Sequence, residues 1–235
     1  VIPGKKIITG PAYLVMEDVP IYPLCIPEGF FPISSGAKSG LLMPTYGEDG
    51  ARGFFVRGLG YYFILSQHMD LALTGGFYTL GSWEVNASSR YVKRYKYSGN
   101  LNFDFSSVKT GDKGEPDYIK QNNFKFTWTH SQDPKANPGS TFSASVNLST
   151  SGYSKYSATS LNDILATQTN SSIAYSKSWA GTPFSFSMNM AISQNSQTRA
   201  LSVTFPNMVF NVARVYPFKR KEAVGKQRWY EKISF

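Results

Sequence analysis

The sequence predicts an all-β chain dominated by antiparallel meander strands of a transmembrane β-barrel, a partial barrel, and three observations carry that expectation. From Phe54 onward, apolar and polar residues alternate in runs of about ten, as strands with one greasy and one hydrated face require. Eleven residues at roughly 3.3 Å each, tilted about 40°, span about 28 Å, which matches the apolar band of a barrel and is about twice a soluble strand. Trp83, Trp128, Trp179 and Trp229 fall near strand ends, where indole rings favour a membrane interface. An antiparallel sandwich shares the alternation but not the strand length or the aromatic girdle.

Taken in order, Lys6 to Thr9 and Ala12 to Glu17 read as short strands around a Gly10-Pro11 turn, and Ile21 to Ile26 as a third interrupted by Pro23. Ser34 to Lys38 and Gly47 to Gly53 are rich in turn-forming residues, and between them Gly40 to Met43 is a short apolar strand stopped by Pro44. The cleanest long strand sets Tyr97, Gly99, Leu101, Phe103 and Phe105 against Ser98, Asn100, Asn102, Asp104 and Ser106. Before it, Trp83, Val85, Ala87 and Tyr91 oppose Glu84, Asn86, Ser88 and Arg90; after it, Phe124, Phe126 and Trp128 oppose Lys125, Thr127 and Thr129. The same phase returns at Phe142 to Leu148 and Phe184 to Ile192. Short connections join most of these runs, and 108–117, 132–139 and 150–167 are longer loops. Thr198 to Val215 is a strand in which Pro206 must occupy a bulge or a non-bonded position.

Only 17% of the 235 residues are charged and 15% are aromatic, with a net charge of +9 concentrated at Arg90, Lys93, Arg94, Lys96 and at Lys219, Arg220, Lys221. Such runs suit phosphate, but they lie at strand ends rather than on a helix or an aromatic platform, so nucleic acid is not expected. Cys25 is the single cysteine, which excludes an intrachain disulfide. His68 and His130 have no cysteine or second histidine at metal-ligand spacing and read as surface histidines. The acidic cluster Asp112, Glu115, Asp117 lacks the oxygen spacing of a calcium loop, and no nucleophile elbow or phosphate-binding loop is present. Neither catalytic residues nor a cofactor or metal are expected. Hydroxyl and amide side chains on one face and Arg90 and Lys125 among them make a wet, weakly cationic surface.

The block Lys38, Ser39, Gly40, Leu41, Leu42, Met43, Pro44, Thr45, Tyr46, Gly47, followed by Arg52, Gly53, Phe54 and the pair Tyr61, Tyr62, resembles the domain junction of the LptD (OstA/Imp) family, in a Bacteroidetes-like variant. The resemblance implies an internal piece of a secreted outer-membrane protein. Residues 1–43 would be the end of a periplasmic β-jellyroll and 44–235 the first strands of the transmembrane barrel. It further implies insertion of lipopolysaccharide into the outer leaflet. Acyl chains would move along a groove containing Leu14, Met16, Leu24, Ile26, Phe30 and Phe31, sugars and phosphates would meet lumenal Arg90 and Lys125, and a lateral gate would lie near Pro44, Gly58 and Gly60. Implied partners are lipopolysaccharide, a plug lipoprotein of the LptE type, periplasmic jellyroll bridge proteins of the LptA type and outer-membrane lipids. Two departures stand out: the single cysteine differs from members that link their domains through cysteines, and Gly60 stands where many members have proline. A diffusion porin or uptake barrel is the alternative, distinguished by a long constriction loop folded inward and by lacking the 20–47 junction.

Overall fold

Period-two alternation can fold only as paired strands, and the computed structural model is built almost wholly of them. It describes residues 6–9, 12–16, 19–26, 29–32, 38–111, 114, 118–158 and 160–215; in the first four of these segments Val15 is the one side chain described. The chain divides into two compact units between Ser39 and Gly40.

In the first unit, β1 (Lys6–Thr9) pairs antiparallel with β4 (Gly29–Pro32), and β2 (Ala12–Met16) with β3 (Val19–Ile26). The register of the second pair jumps from Tyr13↔Cys25 to Leu14↔Ile21, so Pro23, which has no amide hydrogen for a ladder, falls in the bulge. β4 was not legible in the sequence.

In the second unit, β5 (Gly40–Leu42) and β6 (Thr45–Asp49) both pair with β7 (Gly53–Ser66), as one edge strand broken at Met43 and Pro44. The expected turn over Gly47 to Gly53 is therefore shorter: Gly47, Glu48 and Asp49 belong to β6. Beyond β7 come β8 (Met69–Tyr78), β9 (Trp83–Lys93), β10 (Tyr97–Thr110), β11 (Ile119–Gln132), β12 (Ser140–Ser149), β13 (Gln168–Ser178), β14 (Phe184–Asn195) and β15 (Leu201–Val212), each paired antiparallel with its neighbours in sequence. Opposite Met190 the register slips between Asn189↔Asn207 and Ala191↔Thr204, which seats Pro206 in the bulge its chemistry demands. Two short helices, α1 (Tyr153–Tyr156) and α2 (Leu161–Leu165), interrupt the 150–167 connection.

The ladders fix which side chains share a face. Asn86↔Asp104↔Lys125↔Ser149 form one row across four strands, and Ala87↔Phe103↔Phe126↔Leu148 form its neighbour on the opposite side. Among the described residues no second layer covers the apolar side, and Phe77, Leu73 and Phe103 are exposed along with most large apolar residues of the sheet. Water tolerates apolar patches of a few hundred Å² on a monomer; a whole sheet face of this kind needs an apolar solvent.

Candidate functional site

The polar face is stitched across strands by short side chains. Ser88 donates to Asn102 Oδ1 at 2.8 Å and Asn102 Nδ2 to Thr127 Oγ1 at 3.2 Å; Thr129 donates to Asn100, and Thr141 and Ser176 share a bond of 2.6 Å. Each hydroxyl keeps unused hydrogen-bonding capacity, so the surface can exchange bonds with water or with the hydroxyls of a sugar.

The two cations expected to meet phosphates on this face have different fates. Lys125 Nζ donates to Asp163 Oδ1 at 2.6 Å, lies 5.5 Å from the Tyr153 ring centre and stands opposite Asp104 in the ladder, so its charge is already matched. Arg90 is exposed and has no ion pair among the described residues. The carboxylate beside it, Asp70, accepts instead from the Arg90 backbone amide at 2.9 Å and from the Tyr62 hydroxyl at 3.1 Å. Arg90 lines an open cavity of about 410 Å³ with Ser98, Asn100, Thr129 and Ser131. The guanidinium is thus left without a direct carboxylate contact, beside an Asp70 whose oxygens are held by other donors, and its free donors suit a phosphate or carboxylate.

The 150–167 connection folds back onto the polar face near Lys125. Ser157 is the pivot: its hydroxyl accepts from Ser106 at 2.6 Å and from Asn123 Nδ2 at 2.9 Å, with Asn123 wholly buried. Thr150 Oγ1 donates to Asn123 Oδ1, and the Lys125–Asp163 pair ties down α2. Burial first, then the carboxylates of Asp104, Asp163 and Glu84, hold the Tyr153 phenol above its ordinary range, so it remains a neutral donor. Leu161 and Leu165 stay exposed. The stretch expected to be a plain loop thus contains two helices. Helices of four and five residues are too short to show a periodic pattern, so the sequence carries no cue to them.

The three residues expected at a gate occupy different positions. Pro44 interrupts the edge strand between β5 and β6. Gly58, with φ of 79°, sits at the register shift between Arg57 and Leu59, and Gly60 pairs with Leu42 on one side and Thr74 on the other. A side chain on Gly60 would collide with the Leu73 carbonyl oxygen of β8, so the absence of a Cβ is what allows these strands to pair. The groove residues Leu14, Met16, Leu24, Ile26, Phe30 and Phe31 lie in β2, β3 and β4 by backbone, and their side chains are outside the described residues, as are Trp229 and the acidic 112–117 side chains.

At the Tyr95 end of the apolar face, rings gather around one hydroxyl. Trp128 Nε1 donates to Tyr91 Oη at 2.9 Å, the same oxygen lies 2.9 Å from His130 Nδ1, and Tyr97 stacks on His130 at 5.9 Å. His130 is therefore a half-buried member of an aromatic cluster rather than a surface histidine. Gly99 makes room for the Tyr91 ring, which fills the place its side chain would take. Trp83 packs on Phe105 at the opposite end.

Comparison with known proteins adds a family. A family model described as "LptD protein" matches residues 7–235. Among relatives, the LPS-assembly protein LptD of Bordetella pertussis is 38% identical over 79 residues, covering 34% of this chain and 10% of that protein. The proteins of the same name from Burkholderia ambifaria and Shewanella oneidensis are 30% identical over 122 residues and 26% over 119, each covering 51% of this chain and 14% of the relative. The matched stretch is thus a small part of each of these proteins.

Proposed function

Because the chain belongs to the LptD family, we propose that it forms part of an outer-membrane protein that delivers lipopolysaccharide to the outer leaflet. The observation that carries this reading is the two-sided sheet, with a continuous hydroxyl and amide face backed by an uncovered apolar one. As a barrel wall, the polar side conducts the sugars and meets their phosphates at Arg90, while Lys125 serves to hold the 150–167 connection in place. Acyl chains follow a jellyroll groove in the first unit that includes Leu14, Met16, Leu24, Ile26, Phe30 and Phe31. They leave through a lateral gate at the β5–β6 edge, where Pro44 withholds a ladder hydrogen bond. A lipoprotein of the LptE type and jellyroll bridges of the LptA type are the partners this scheme requires, and the first unit lies in the periplasm.

A photo-crosslinking residue in place of Leu24 or Ile26 should capture lipopolysaccharide in living cells; adducts at barrel sites such as Asn102 with none in the first unit would remove the groove. The folded-back 150–167 connection favours a second reading, a diffusion porin with a constriction loop. That reading expects conductance in lipopolysaccharide-free bilayers to rise several-fold when 153–165 is deleted, with normal lipopolysaccharide at the cell surface.

A further inference from the structure

The two ends of the larger sheet arrange their charges differently. At the Trp83 end, Arg52 is paired with Asp49 at 2.7 Å, and Lys109 and Lys120 stand singly on adjacent strands rather than in a run. At the Tyr95 end, the β9–β10 turn carries Lys93, Arg94 and Lys96 in succession, and none of the three has an ion pair among the described residues. Asp133, which lines the cleft beside this turn, accepts the Lys135 backbone amide at Oδ1 at 2.9 Å, and its own amide donates to Lys96 O at 2.9 Å, which ties the β11–β12 loop to the basic turn. Between turn and loop lies an open cavity of about 330 Å³, lined by Val92 to Ser98 and Ser131 to Pro134. Directly alongside, on the apolar face, lies the Tyr91, Tyr97, Trp128, His130 cluster; in the next hairpin at this end Lys177 sits 5.3 Å over the Trp179 ring. Cations above an aromatic belt above aliphatic side chains repeat, in order, the layers of a lipid: charged headgroup, interface, acyl chain.

We propose that this end binds an anionic glycerophospholipid, its phosphate held by Lys93, Arg94 and Lys96 and its chains lying over Leu101 and Phe103. The leaflet follows from the connections. The two longest, 111–118 and 150–167, leave the sheet at the Trp83 end, and barrels of this kind keep their short turns on the periplasmic side, so the basic end meets the inner leaflet. The inference rests on the reading of the sheet as a membrane wall, not on the route taken by lipopolysaccharide.

The test uses the protein inserted in phosphatidylcholine vesicles doped with brominated phosphatidylglycerol or brominated phosphatidylcholine, with tryptophan quenching read against salt. Phosphatidylglycerol should quench preferentially, high salt should erase the preference, and the Lys93→Gln, Arg94→Gln, Lys96→Gln variant should weaken it roughly tenfold. Lys177→Gln should weaken it less, which keeps the proposal testable if the triple variant folds poorly. Equal quenching by both lipids, a preference untouched by the substitutions, or displacement of phosphatidylglycerol by equimolar lipopolysaccharide at this site would overturn it. Protein that never floats with vesicles would sink the membrane reading along with it.

Discussion

β7 and β10 are both fourteen residues long, yet β10 keeps one register along both neighbours while β7 shifts twice against β8 and faces a broken partner on its other side. The cause is phase. Before Gly58 the odd residues Phe55 and Arg57 share the polar side with Tyr78 and Gly76; after it the even residues Gly60, Tyr62 and Ile64 do, opposite Thr74, Ala72 and Asp70. The extra residue at positive φ resets the alternation so that Leu59, Tyr61 and Phe63 return to the apolar face. In β10 the alternation holds from Tyr97 to Ser106, and the ladder runs on without a shift even where Ser107, Val108 and Lys109 depart from it. Irregularity in β7 thus serves to keep faces consistent, which gives Gly58 a structural task whether or not this edge opens.

Three substitutions would break or sharpen that contrast. The largest effect is expected for Gly60→Val, whose side chain meets β8 backbone rather than a movable side chain; the loss should exceed about 4 kcal/mol, beyond most point changes, and appear as absence of the heat-modifiable folded band in gels. A variant carrying valine at both Gly58 and Gly60 therefore reports folding and is useless as a probe of gating. Next comes Phe103→Arg in the regular strand, roughly 2–4 kcal/mol by urea titration in lipid if Phe103 lies near the bilayer midplane. A cost below about 0.5 kcal/mol there would mean the apolar face is not in lipid. The smallest is Gly58→Ala, about 1–2 kcal/mol from positive φ alone, because the space around it is open. If the inserted Gly58→Ala protein slows surface delivery of lipopolysaccharide while Phe103 variants of equal stability do not, the bulge also takes part in gating; equal rates would confine it to phase correction.

The contrast also explains what the sequence revealed. The faces of Tyr97 to Ser106 in β10 follow from the sequence alone, because a period of two leaves a single choice once one apolar residue is placed, whereas 108–110, expected to open a long loop, continue the strand to Thr110. β6 escaped notice because Gly47 and Asp49 are turn formers by chemistry. In the fold, the missing side chain of Gly47 makes room for the Phe55 ring, and Asp49 accepts from the Ala51 and Arg52 amides just as the turn begins. At the candidate site, the strand phase put Arg90 and Lys125 on one surface but gave no means of ranking them. The carboxylate that occupies Lys125 comes from Asp163, on a helix of five residues reached through a long connection, and no local pattern announces a contact made by one side chain. Arg90 stands out only because Asp70 is used up by neighbours on adjacent strands.

The nearest-neighbour order of the sheet bears on how the protein is made. From β7 to β15 every pairing joins consecutive strands, so most new hairpins close a short loop at small entropic cost, 150–167 being the longest connection, and each can be added to a growing ribbon in the order of the chain. Among the described residues such a ribbon has a free edge at β5–β6 and another at β15. Bare edges recruit any extended chain that approaches, so the hazardous moment in biogenesis is the interval before those edges are paired.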